Sequence, residues 1–159
     1  MPEDERAQDL TFMRMALEEA SKAPAVGEVP IAAVIIHNGR VLALAHNYRE
    51  LWQDPTAHAE VIAIRAAATS LGTWRLTGTT IYVTLEPCAM CIGAIILARV
   101  SRLVFGARDP KGGACGSLFN LPSEPKLNHQ VLVTGGVFEQ ESQALLQKFF
   151  KVLREASPL

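Results

Sequence analysis

Two short stretches of the chain hold the residues that can do chemistry. His58, Ala59 and Glu60 form the first, and Pro87, Cys88, Ala89, Met90 and Cys91 form the second. One imidazole and two thiols make a ligand set for a transition metal, and sulfur with nitrogen in a tetrahedral site favours zinc. Structural zinc sites are usually closed by four protein ligands, whereas three leave the fourth position for water. Glu60 is then a carboxylate beside that water. Zinc with two thiolates and a neutral imidazole is formally neutral, so it should acidify water less than an all-imidazole site, and a base must help. Glu60 can be that base. It can take a proton as water attacks a substrate and return it to the leaving group, roles worth roughly 10²- to 10⁴-fold each.

Such a site depends on how helices begin. Cys88 and Cys91 are three apart, so on a helix opened by Pro87 they share a face, in a first turn where the macrodipole favours thiolates. A C-x-x-C pair alone also suits a redox couple, and His58 with Glu60 tips the reading to metal. Positions i and i+2 of a regular helix face different ways, so His58 must lie at the mouth of its helix for both side chains to reach one site.

The expected elements alternate. Asp9 to Ala23 has helical apolar spacing, and Val29 to His37 is a β-branched run. Asn38 and Gly39 then turn the chain into Arg40 to Asn47, a hairpin signal. An alanine-rich helix over 57–71, a strand over 80–85, a helix over 88–98 and a strand over 103–106 follow. The segment 107–129 reads as irregular, 131–134 as a weak fifth strand and 138–156 as a closing amphipathic helix. This order predicts an α/β fold with a mixed five-stranded sheet and helices on both faces.

The 159 residues, 49% apolar and 19% charged, fit one domain over 1–159 with ample core. The first residues are acidic, no apolar run follows them as in a signal peptide, and the longest apolar stretch is too short to cross a membrane. A cytoplasmic protein is expected. Three cysteines make no disulfide framework there. His37, His46, Trp52 and Trp74 read as surface or core residues and not as ligands.

H-A-E followed by P-C-x-x-C resembles the signature of the zinc-dependent cytidine deaminase-like superfamily. Further stretches, among them 28–34, 54–60, 82–91 and 104–116, resemble the bacterial tRNA adenosine deaminases, which convert the wobble adenosine of an arginine tRNA to inosine. The resemblance covers most of the chain from Gly27 onward. It implies a three-layer α/β/α cytidine deaminase-like fold, one zinc per chain on His58, Cys88 and Cys91, Glu60 as proton shuttle, and a homodimer. It also implies that Asn47 hydrogen-bonds the flipped base and that Pro30 and Ile31 wall its pocket. Asp109 and Lys111 would approach the flanking nucleotides, and Phe149 would pack beside the substrate. Ala32 stands where the family often has Gly, and Gln130 where Arg is common. The first would tighten packing near the metal, and the second removes a phosphate contact.

The metal motif alone does not distinguish a nucleic acid from a free base. Residues 1–60 hold ten acidic and five basic side chains, and residues 61–159 hold six and ten. Arg99, Arg102, Arg108, Lys111 and Lys126 lie in or beside the irregular segment, and Lys148, Lys151 and Arg154 stripe the last helix. Such a surface suits phosphates around a splayed tRNA anticodon loop. Two rivals remain at this point. One is a deaminase of free guanine or cytosine, and the other is a zinc-stabilised binding module in which Cys115 or His129 closes the coordination shell.

Overall fold

The structure is a computed structural model and describes residues 3–156. The β-branched run forms β1 over Ala32–His37, and Asn38 and Gly39 return the chain as β2 over Arg40–His46. Both turn residues have positive φ, 51° and 75°, the backbone that a tight hairpin turn demands. Strands β3 (Thr79–Leu85), β4 (Arg102–Ala107) and β5 (Leu132–Thr134) complete a five-stranded sheet in the order β2-β1-β3-β4-β5. The first two pairings are antiparallel and the last two parallel, so the sheet is mixed as expected.

Burial on both faces of the central strands explains their continuous apolar runs. Helices α3 (Ala59–Leu71) and α4 (Ala89–Leu97) cover one face, over Ala33, Ile35, Ile81, Val83 and Phe105. Helices α1 (Glu3–Ala20) and α5 (Glu139–Ala156) cover the other, where Met13, Ala16, Leu17 and Leu145 meet Val34, Ile36, Tyr82 and Val104. This is the expected three-layer α/β/α arrangement. Among the described residues no helix is long and apolar enough to cross a membrane.

Several elements differ from the sequence reading: β1 starts at Ala32 and not at Val29, and α3 at Ala59 and not at Ala57. Helix α1 starts earlier, because Glu3, Asp4 and Glu5 in its first turn complement the macrodipole. It also stops before Ala23, where Pro24 enters a 3-10 turn over Ala23–Val26. A four-residue helix, α2 (Arg49–Trp52), was not expected, being too short to show periodicity. Helix α4 begins at Ala89, so Cys88 stands just outside it.

The α1 layer is locked to the sheet by charge. Asp9 is 2% exposed and accepts Arg102 Nη1 and Nη2 at 2.7 Å each, together with the Tyr82 hydroxyl at 2.9 Å. Burial, and then donation to Asp9, pushes the Tyr82 hydroxyl far up, so it remains a donor. Arg102 therefore leaves the basic set that the sequence offered to phosphates. Asp9→Ala leaves the Tyr82 hydroxyl without its acceptor and Arg102 with only Glu5 at 3.3 Å and Thr134 at 2.9 Å, and removing one member of a buried pair costs about 3–5 kcal/mol. Urea unfolding should show a loss of that order; a loss below about 1 kcal/mol would mean that the network contributes little.

Candidate active site

The reactive residues gather at the carboxyl ends of the parallel strands β3 and β4, where α/β sheets usually bind ligands. Strand β3 leads through Glu86 and Pro87 into Cys88. Cys88 has φ −75° and ψ 174°, an extended residue at the entrance to α4. His58 does the same for α3, with φ −77° and ψ 149°. Standing at the helix mouth frees His58 from helical geometry, so it and Glu60 both line one cleft of about 220 Å³. Cys91, in the first turn of α4, is fully buried beneath.

His58 Nδ1 lies 3.7 Å from Cys88 Sγ and 3.4 Å from Cys91 Sγ. In a tetrahedral zinc site with ordinary bond lengths the corresponding sulfur–nitrogen edge is about 3.6 Å. The three ligand atoms lie within 4.8 Å of one another, and no other described residues form such a group. The donor set thus fits a metal ion with one position left open. Cys115 is buried elsewhere and burial pushes its thiol up, while His129 Nε2 is 2.8 Å from the Val100 carbonyl. Neither closes the shell.

The electrostatics favour an anion at Cys88 and a base beside it, while the hydrogen bond with Cys88 and burial push the Cys91 thiol up. The hydrogen bond with Cys91 pulls the Cys88 thiol down to about 4, against burial and with help from His58. The hydrogen bond with Cys88 raises His58. Burial raises Glu60, which is 4% exposed, and its Oε1 has no hydrogen-bond partner. A buried, unpartnered carboxylate oxygen in a cleft is ready for a proton that a substrate brings.

Asn47 and Glu86 fix the walls. Asn47 Oδ1 accepts from Ala59 N at 2.8 Å and so caps α3, which His58 does not. That leaves the Asn47 carboxamide NH₂ for a ligand in the cleft that it lines. Glu86, 2% exposed, accepts from the backbone N–H of Asp109 at 3.0 Å, Cys115 at 2.9 Å and Ser117 at 3.1 Å, and from the Ser117 hydroxyl. Burial pushes its carboxyl up, but those four donors outweigh burial and hold it below the usual range. A Cβ at Gly113 would collide with that carboxylate, so glycine is required there.

The remaining sequence candidates divide. Ile31 and Asp109 line the cleft, Val29 joins them, and Pro30 is buried between Val29 and Ile31 without lining it. Lys111 is exposed, and its backbone N–H donates to Asp109 Oδ1 at 3.1 Å. Phe149 lies in a groove with Ser21 and Pro24, and Phe150 is the ring that reaches the cleft. Ala32 is fully buried, its N–H donating to the Thr84 hydroxyl at 3.1 Å. Gln130 Nε2 donates to the Glu124 and Leu127 carbonyls and so folds back on its own loop. Sequence reasoning missed Arg49 and Glu86 in the cleft. A charged residue ending a buried strand just before a ligand was the available signal for Glu86.

The profile of the MafB19-like deaminase family matches residues 7–154. The tRNA-specific adenosine deaminase of Bacillus subtilis is 53% identical over 148 residues, covering 93% of this chain and 92% of that one. A solved structure from a study of A-to-I editing by tRNA:A34 deaminases at the wobble position superposes with a TM-score of 0.82 and 48% identity, covering 86% of this chain and 99% of the other. A guanine deaminase from Nitrosomonas europaea gives a TM-score of 0.73 at 27% identity, over 86% and 81%.

Two outcomes follow from this geometry. Cys115→Ser should leave bound metal, measured by atomic emission on purified protein, unchanged at one equivalent; its loss would make Cys115 a ligand. Glu86→Ala leaves three loop N–H groups without their acceptor, each costing about 1–3 kcal/mol if buried. Chemical unfolding should register at least about 3 kcal/mol, and an unchanged midpoint would show that the loop is held by other contacts.

Proposed function

The chain belongs to the family of tRNA-specific adenosine deaminases, and from that membership we propose that it hydrolyses the wobble adenosine of a tRNA anticodon loop, that of an arginine tRNA, to inosine and ammonia. The observation that carries the chemistry is Glu60, buried and with a free carboxylate oxygen, in the cleft that His58 and Cys88 also line, above the buried Cys91. In this reading His58, Cys88 and Cys91 hold one zinc per chain. Bound there, zinc supplies Lewis acidity that makes water a better nucleophile.

The chain's own residues do the rest. Ile31 and Val29 give the base an apolar wall, and the Asn47 carboxamide NH₂ donates to an acceptor on its edge. Glu60 Oε1 takes a proton from the water that adds to the amine-bearing ring carbon and passes it to the ring nitrogen. The water's second proton leaves with the amine as ammonia when the carbon–nitrogen bond breaks. Burial, which raises Glu60, makes it a stronger proton acceptor than an exposed glutamate and so suits it to carry the proton between the two transfers.

RNA as the substrate is favoured over a free base by likeness: the relatives named for tRNA are 41–53% identical, and the guanine deaminase is 27% identical. Asp109 and Lys111 flank the cleft from the loop that Glu86 anchors, and Lys148, Lys151 and Arg154 remain exposed on α5 to meet phosphates. Pro30 backs the wall from within, and Phe150 takes the place beside the substrate that the family resemblance gives to Phe149. The reading also includes one domain over 1–159, a cytoplasmic location and a homodimer. Met90 and Leu97, 38% and 71% exposed on α4, offer apolar area for the second copy.

The test offers an anticodon stem-loop with adenosine at the wobble position beside adenosine, guanine and cytosine, with inosine and ammonia as readouts. Inosine should form only in the loop, and turnover confined to the free compounds contradicts the proposal. Binding should weaken steeply as salt rises, whereas a neutral free base would show almost no slope. Glu60→Gln should retain stoichiometric zinc and lose nearly all deamination; normal turnover would remove Glu60 from the mechanism.

A further inference from the structure

The cleft has a neighbour. His46, Tyr48 and Trp52 stack in sequence, with ring centroids 4.5 Å and 4.6 Å apart and interplanar angles of 11° and 23°. The ladder starts at buried His46, passes beside Asn47 and ends at Trp52, which is 55% exposed. One face of the indole lies on Tyr48, and the rest of it lines a hollow of about 260 Å³ with Thr56, Ala57, Val61, Ile62 and Arg65. Ala57 lines this hollow and the next residue, His58, lines the catalytic cleft, so only the segment entering α3 separates the two. The ladder is held rigidly. Glu28, 1% exposed, accepts from Glu50 N at 3.1 Å and Leu51 N at 2.7 Å, fixing the helix that carries Trp52.

A target base can enter the cleft only if it leaves its stack, and its neighbours then lose their own stacking partners. Proteins that hold unpaired strands compensate with aromatic faces, to which each base adds as one more ring. Resting on the tRNA reading above, we propose that this hollow is a second base site: it receives an unpaired base of the same RNA, next to the deaminated one, stacked on Trp52. Val61 and Ile62 supply an apolar floor, and Arg65 stands at the rim as a cation for a phosphate. The hollow is sized for one ring system, and Asp54 and Arg65 put charge at its edge, which suits a nucleotide better than the apolar face of a second copy.

The experiment uses full-length zinc-loaded protein carrying Glu60→Gln, so that binding is read without turnover. Affinity is measured for the wobble-adenosine stem-loop and for two versions in which the nucleotide 5′ or 3′ of the target lacks its base. Trp52→Ala should weaken the intact loop by about 5- to 150-fold, the range for one lost base–aromatic stack. Trp52→Phe should recover most of that loss, and Trp52→Leu, which keeps apolar bulk without a flat ring, should not. Against one of the two abasic loops Trp52→Ala should cost nothing further. Equal losses on all three loops, no loss on any, or a change in sedimenting mass in place of RNA affinity would each overturn the site. Absence of inosine with Glu60 intact would instead defeat the tRNA reading, so the two failures are distinguishable.

Discussion

Two helices begin at the same point in space, and the rest of the site depends on it. The residue before each helix, His58 for α3 and Cys88 for α4, is extended, so its side chain escapes the helical pattern and turns toward the other. Each helix contributes the positive end of its dipole to the shared volume, where thiolates and an attacking anion must sit. That partial charge matters because a zinc ion on His58, Cys88 and Cys91 would be formally neutral. The same convergence buries Glu60 and raises its proton affinity, so the candidate metal ligands and the proposed proton carrier arise from one arrangement.

Holding that convergence requires polar groups in a place that would otherwise be apolar. Three buried side chains do so from three directions. Asn47 ties β2 to the start of α3, Glu28 ties the chain before β1 to α2, and Glu86 gathers the loop from Asp109 to Ser117 around the end of β3. Each satisfies backbone donors that have no helix or strand partner, which is why irregular segments stay ordered around the cleft. Hydrogen bonds to a charged acceptor contribute about 1.5–3 kcal/mol each, enough to make these loops part of the scaffold. The cleft-lining residues Ile31, Asn47, Arg49 and Asp109 all sit on or beside segments held in this way.

Much of this was legible beforehand. Residue type and spacing singled out His58, Glu60, Cys88 and Cys91, which the fold brings together, because metal chemistry admits few combinations, and the geometric conflict between His58 and Glu60 already demanded a helix mouth. Strand order followed from one hairpin signal and the alternation after it. The missed parts depend on tertiary context. Whether Phe149 or Phe150 faces the cleft turns on the rotation of α5 by one residue, about 100° of helix, and an amphipathic pattern does not fix it to that accuracy. Arg102 looked like a free cation because its partner Asp9 is distant in sequence. Glu86 was missed because its four donors come from a loop with no pattern of its own. Trp52 looked like an ordinary surface aromatic until its stack on Tyr48 placed it beside the cleft.

The proposed chemistry depends on an open site with three protein ligands and a carboxylate that is not one of them. X-ray absorption at the metal edge of the purified protein reads this most directly. Two sulfur neighbours at about 2.3 Å and two nitrogen or oxygen neighbours at about 2.0–2.1 Å, unchanged in Glu60→Gln, are the predicted shell. A third sulfur, or a shell that loses a neighbour when Glu60 is replaced, would contradict it.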